Sequence, residues 1–531
     1  MKPVRNYIYL PLVFALLLGL GIYIGHKYTY PSVRMIGRSN GGKIENLLKY
    51  VEKRYVDTIN PTQLEDKTLN AMLQNLDPHS SYVTAKEAKQ MNEPLQGNFG
   101  GIGVEFSIIK DTIRVVTAIS GGPSERLGIQ AGDMIVKIEG KNAAGVKITN
   151  QKVIDQLRGE KGTKVNIHIK RRTSKTLIPY TIVRGEIPIF SVDVAYMVNA
   201  TTGFIKVSRF GATTYDEYMK GFHELKAKGM KSLILDLRGN PGGYLNTAVQ
   251  LADEFLPSGK QIVYTEGRSE PRRYHKATST GEFEGKDDKL VILIDEGSAS
   301  ASEIVSGAVQ DNDRGTIVGR RSFGKGLVQE EKEFEDGSAI RLTIARYYTP
   351  TGRCIQKSYE NGLDAYYSEE SERYTKGELQ NADSIKFSAK QKFKTPAGKI
   401  VYGGGGIMPD VFVPLDTTAH TLYLGELAYS GSINQFAFDY VDQNRSKLKG
   451  YTNEQQFAQQ FEVTDDMLNA LVAFASKAGI KKKEKEFDRS KNLLKNQVKS
   501  LIARDLYGNK GYFPISLSID PSFKKAVTLA K

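Results

Sequence analysis

The chain has 531 residues, 40% of them hydrophobic and 25% charged, which excludes a disordered or fibrous polypeptide and implies three or four domains with real cores. A formal charge of +14 suits an anionic partner, but no basic stripe is interleaved with aromatics, so a solvated basic surface accounts for it and no nucleic-acid partner is expected. The lone Cys354 excludes an intramolecular disulfide and a cysteine-based metal site, and the six histidines show no HExxH spacing, so no metal is expected.

Lys2 and Arg5 precede an apolar run from Tyr7 to Gly25 broken only by Pro11. Its nineteen residues are about the length of a bilayer-crossing helix, and bulky residues stand where a signal peptidase needs small ones. Residues 1–30 therefore read as an uncleaved membrane anchor, with Lys2 and Arg5 inside and the bulk exported. A cleaved signal peptide is the alternative.

Residues 31–87 form a helical region: Ile44, Leu47, Leu48, Val51 and Tyr55, then Leu64, Leu69, Met72 and Leu76, fall at helical spacing. Over residues 88–183 the texture changes to short, glycine-punctuated strands with one helix near Val153 and Leu157. This block resembles a PDZ domain, through Gly101-Ile102-Gly103-Val104, Gly122-Pro123-Ser124-Glu125-Arg126-Leu127-Gly128 and Leu157-Arg158-Gly159-Glu160-Lys161-Gly162-Thr163. A PDZ groove adds a peptide as an extra strand and captures its terminal carboxylate on backbone N–H groups. Gly101, Ile102, Gly103 and Val104 are the candidate carboxylate loop, with Val153 and Leu157 lining the far wall.

Residues 184–430 alternate strands with helices. The continuous apolar strands 232–237 and 289–294, each followed by a helix, indicate an α/β layer. The polar stretch from about 357 to 400 reads as a surface insertion. Residues 431–531 are mainly helical and charged, and no internal repeat is evident.

The chemistry gathers in this α/β block. Ser300-Ala301-Ser302-Glu303 fits a capping box, so a helix N-cap accounts for Ser300 without chemistry. Lys325, held between Gly324 and Gly326, is by itself an ordinary turn lysine. Serine needs a base to become a nucleophile, and lysine serves only when burial lowers its pKa; Phe323, Leu327 and Val328 offer such a setting. At the helix start, the Ala301 N–H is a candidate oxyanion donor. Gly239, in the turn Leu237-Arg238-Gly239-Asn240-Pro241-Gly242-Gly243, is a second. Residues 319–326 nearly spell a P-loop, but Gly326 stands where Ser or Thr is required.

Taken together, the motifs strongly resemble the carboxyl-terminal processing peptidases, tail-specific serine proteases. The similarity runs from about residue 42 to 415, through Leu76-Asp77-Pro78-His79-Ser80, the PDZ signatures, the Gly239 turn, Ser300 and its neighbours, Phe323-Gly324-Lys325-Gly326 and Tyr347-Tyr348-Thr349-Pro350-Thr351-Gly352-Arg353. The resemblance implies a multidomain α+β protein: a crotonase- and ClpP-like α/β protease core with an inserted PDZ domain, an N-terminal helical segment and a mainly helical C-terminal extension. It implies Ser300 as nucleophile, Lys325 as general base, Gln329 orienting the lysine, and Ala301 and Gly239 as oxyanion donors. No cofactor is implied. The partners implied are protein or peptide substrates with exposed C-termini, the membrane through the N-terminal segment, and a homo-oligomer or an adaptor protein. The expected location is the bacterial inner membrane, single-pass, with the bulk in the periplasm. A catalytically silent PDZ scaffold is the rival reading, and the joint presence of Ser300, Lys325 and Gln329 argues against it. A crotonase-type acyl-CoA enzyme fits the PDZ module poorly.

Overall fold

The computed structural model describes residues 9–28, 42–285, 287–386 and 391–531, and the chain divides into two units, 1–72 and 73–531. In the first unit lie helices α1 (Leu10–Tyr28) and α2 (Lys43–Arg54), and α3 spans Pro61–Gln74. Among the described residues no helix is long and apolar enough to cross a membrane. This overturns the single-pass inner-membrane placement expected from the sequence. Lys2, Arg5 and the first residues of the apolar run lie outside the described residues.

The second unit opens with strand β1 (Ser81–Val83) and helix α4 (Ala85–Gln96), whose start is fixed by a reciprocal Thr84–Glu87 capping box. Strand β2 (Asn98–Gly101) then leads into a sheet of β3 (Val104–Ile109), β4 (Thr112–Ala118), β5 (Met134–Ile138), β6 (Lys141–Asn142), β7 (Lys164–Lys170) and β8 (Ile178–Val183). The short helices α5 (Pro123–Arg126) and α6 (Asn150–Leu157) complete this block. Alternation drives it: in β7 Val165, Ile167 and Ile169 are fully buried and their neighbours are not, as a strand with one face on a core requires. The chain leaves through β9 (Gly185–Pro188), which pairs antiparallel with β2. The whole block is thus inserted through a two-stranded stalk.

A six-stranded sheet follows, in the order β10 (Val192–Met197), β11 (Thr202–Val207), β12 (Ser232–Asp236), β15 (Lys289–Ile294), β16 (Thr316–Gly319), β21 (Val411–Phe412). Only the β10–β11 pair is antiparallel. The strands β12 and β15 are almost wholly buried, which is why they read as unbroken apolar runs. Helices α7 (Thr214–Ala227), α8 (Leu245–Asp253) and α9 (Ala301–Asp311) contribute to the core on one face. A second sheet holds β1, β13 (Gln261–Glu266), β14 (Arg273–Lys276), β17 (Leu327–Glu333) and β18 (Ala339–Tyr348).

Helix α10 (Leu363–Thr375) and the strand pair β19 (Lys392–Lys394) and β20 (Ile400–Tyr402) come from the polar 357–400 stretch. That stretch is not merely a surface insertion, because Tyr366 and Arg373 of α10 are buried. Helices α11 (Leu422–Tyr429), α12 (Ser432–Leu448), α13 (Glu454–Gln460), α14 (Asp465–Lys477) and α15 (Glu484–Tyr507) share a separate apolar core. The last two, α16 (Asn509–Leu517) and α17 (Pro521–Leu529), return to the protease block: Leu517, Phe523 and Ala526 pack on Phe204, Ile234 and Val291 of the parallel sheet.

Candidate functional site

Strand β15 runs through a tight turn into α9, and Ser300 stands at the helix N-cap with φ 54° and ψ −110°. A non-glycine residue in this region is strained, and such strain persists only where the surroundings enforce it. Here they do. Gly242 approaches so closely that a Cβ on it would lie 2.8 Å from Ser300 Cβ. On the other side the Ser300 N–H donates to Glu303 Oε2 at 2.8 Å. The Glu303 N–H is bonded to the Ser300 carbonyl oxygen at 2.8 Å.

Glu303 is fully buried and ties the serine turn to the lysine loop. Its carboxylate also accepts from Ser322 Oγ (2.5 Å), Gly324 N–H (2.7 Å) and Lys325 N–H (2.9 Å). Burial pushes its carboxyl up to about 6 despite these donors. The Tyr347 hydroxyl clasps the same two segments, 2.7 Å from the Lys325 carbonyl oxygen and 3.2 Å from that of Ser300.

Ser300, Lys325 and Gln329 line one cavity of about 460 Å³, with Pro241, Gly243, Tyr244 and Leu327 on its walls and Asn92 and Gln96 of α4 at its edge. Burial lowers the Lys325 amine below the ordinary lysine range, and the nearby Arg341 guanidinium lowers it further; Glu303 and Asp77 oppose this. Arg341 is itself held by Glu331 (2.6 Å) and by Asn92 of α4 (2.9 Å). Gln329 lies opposite Thr343 in the β17–β18 pair and donates to its Oγ1 at 3.2 Å, while Thr343 donates to Asp77 at 3.0 Å. The Asp77 carboxylate also accepts from the Ser80 N–H and hydroxyl. The Leu76–Ser80 motif thereby anchors the strand that carries Thr343.

The expected oxyanion donors separate. Ala301 is the first helical residue, so its N–H has no intrahelical acceptor. The Gly239 N–H instead donates to Asp295 Oδ1 at 2.8 Å, and from the same turn Pro241 and Gly243 face the cavity. In the inserted block Ile102, Val153 and Leu157 sit in one core with half-buried Val104 packed against it; Gly101 and Gly103 are also buried. Val153 and Leu157 are therefore core residues of the block rather than an exposed wall.

Sequence reasoning passed over the junction role of Glu303, although its place in the capping box was visible. Arg341, Tyr347 and Arg373 were passed over as well. Arg373 donates to the Ser322 and Phe323 carbonyl oxygens at 2.8 and 3.0 Å, a contact across some fifty positions that no local pattern announces. Among the described residues no cluster of three or more His, Cys, Asp or Glu could hold a metal ion.

Residues 201–364, which contain Gly239, Ser300, Lys325 and Gln329, match peptidase family S41; residues 114–171 match the PDZ domain, and 423–508 a family of unknown function. The carboxy-terminal-processing protease of Bartonella bacilliformis is 38% identical over 316 residues, covering 59% of this chain and 71% of the relative. The chain belongs to the carboxy-terminal processing protease family. A second relative in that family, CtpA of Bacillus subtilis, is 33% identical over 349 residues, or 65% of this chain and 72% of its own. The solved photosystem II D1 C-terminal processing protease is 24% identical, covers 71% of this chain and 93% of its own, and has a TM-score of 0.35. The protein is a serine-type, C-terminal processing peptidase with a PDZ domain, and a PDZ domain binds peptide C-termini.

Proposed function

We propose that this peptidase works through a Ser300–Lys325 dyad and an acyl-enzyme. Neutral Lys325 Nζ takes the Ser300 hydroxyl proton as Oγ attacks the scissile carbonyl carbon. The negative charge on the carbonyl oxygen is met by the Ala301 N–H at the positive end of α9. The lysine then gives its proton to the leaving amine, and water hydrolyses the ester left on Ser300. The PDZ block holds the substrate's C-terminus while an upstream bond is presented to the cavity.

One observation carries the reading: a strained N-cap serine and a buried lysine of lowered basicity share a cavity, with their main chains locked together by one buried carboxylate. The test uses the full chain and a loosely folded protein with an apolar C-terminal tail. Cleavage is expected from the parent enzyme and neither from Ser300→Ala nor from Lys325→Ala. Undiminished cleavage by either variant sinks the dyad.

A further inference from the structure

We propose that helices α12, α14 and α15 form the outer wall of the tail-binding groove and read the side chains that a bound tail turns away from the PDZ core, given that the PDZ block captures substrate tails as proposed above.

Strand β3 is the edge of its sheet, paired only with β4, so its outer backbone groups are open to an added strand. Its side chains divide by face. Phe106 and Ile108 pack on the PDZ core with Val153 and Leu157. Glu105 faces the other way and meets Arg504 of α15 at 2.6 Å. From neighbouring β4, Arg114 lies over the Phe438 ring of α12 and pairs with Asp439 at 3.2 Å. Arg172, beyond β7, pairs with Asp442 at 2.7 Å. The helices are thus fastened to the PDZ block by ionic contacts around a rim.

Inside that rim the two parts do not close. A cavity of about 470 Å³ separates them, lined by residues 105–109 of β3 and, on the helical side, by Phe438, Phe474 and Leu501 together with Asn434, Gln435, Arg504 and Asp505. Its size falls within the range of about 300–1,000 Å³ typical of ligand sites. Phe474 and Leu501 are only partly buried by their own core; an incoming apolar side chain would cover them.

The occupant follows from continuity. The candidate carboxylate loop at Gly101–Val104 leads directly into β3, so a tail captured there runs along this edge in extended form. Successive side chains of a strand point to opposite faces. With the last side chain toward the PDZ core, the penultimate one enters the cavity. Phe438, Phe474 and Leu501 on the helical side favour an apolar residue there.

Short tail peptides differing only at the last or penultimate residue are bound to the full-chain Ser300→Ala enzyme and titrated by fluorescence anisotropy. Replacing an apolar penultimate residue by Asp is expected to weaken binding about tenfold, the effect of losing one buried side chain. Phe474→Ala and Leu501→Ala should each shrink that ratio to about twofold, leaving last-residue preference and sensitivity to C-terminal amidation unchanged; Phe474→Leu should largely restore it. Matched thermal unfolding shows that the variants are folded. Indifference to the penultimate residue, or a preference surviving both alanine variants, overturns the wall. Indifference to amidation overturns the tail-capture reading instead.

Discussion

The Glu303 carboxylate accepts the Lys325 main-chain N–H at 2.9 Å, and the same oxygen accepts the Ser300 N–H at 2.8 Å. One buried acid therefore sets the spacing of the two residues proposed to do the chemistry. Glu303→Ala would strand three N–H groups and the Ser322 hydroxyl, at about 1–3 kcal/mol each where no water enters. Peptidase activity should be lost together with a large fall in melting temperature. Glu303→Gln keeps one acceptor oxygen and should retain more stability than activity.

Glu303 also predicts a pH dependence of folding. Its folded pKa is raised to about 6 from 4.5, with burial as the leading cause. Between those values the native state binds more proton than the unfolded chain, so its contribution to stability falls as pH rises through that window. The loss, on the order of 2 kcal/mol, is complete above the folded pKa. Denaturant titrations across this range should show the slope in the parent protein and its absence in Glu303→Gln.

Arg341 should tune the base. It is the second cause, after burial, of the lowered Lys325 pKa. In the proposed mechanism the neutral amine is the active form, so Arg341→Gln should move the rising limb of kcat/KM to higher pH. Activity near neutrality falls while the high-pH plateau is approached. Arg341→Lys keeps the charge and should move the limb less. An unshifted limb in Arg341→Gln would separate Arg341 from the base.

What was legible in the sequence was local. The alternation in β7, the unbroken apolar strands β12 and β15 and the capping box at Ser300 are all written within a few residues. The orientation of the Gly239 amide was not, because Asp295 lies 56 positions away. Composition misled at α10, whose polar sequence hides a Tyr366–Arg373 face that packs inward. It misled again after residue 508, where two short helices leave the helical layer to cover the parallel sheet. The apolar N-terminal run invited a membrane span, yet among the described residues no helix is long and apolar enough to make one.

Gly242→Ala tests the strained serine. The added Cβ would meet Ser300 Cβ at 2.8 Å, the Ala299 carbonyl oxygen at 2.9 Å and the Ala301 nitrogen at 3.0 Å, at a φ of +102°. Something in the serine turn must shift, and a misplacement of about 1 Å can cost roughly a hundredfold in rate. A Cβ on Gly239 meets nothing within 4 Å, so Gly239→Ala should incur only left-handed backbone strain, about 1–2 kcal/mol. Steady-state kinetics on the pair should show a far larger kcat loss for Gly242→Ala.

Arg373 reaches the site through the lysine loop. It is nearly fully buried and bonds the Ser322 and Phe323 carbonyl oxygens just ahead of Lys325 while pairing with Glu369 at 2.6 Å. Arg373→Ala would leave those two carbonyls and part of the Glu369 charge without a partner, a loss of about 3–5 kcal/mol for a buried pair. Because Arg373 holds a loop and is absent from the cavity wall, kcat should drop with little change in KM. The rising limb of the pH profile should broaden or shift as Lys325 loses its fixed position. Arg373→Lys restores charge but not the forked contact to two carbonyls, so it should recover part of the melting temperature and little of kcat. Equal recovery of both would reduce Arg373 to a stabilising ion pair.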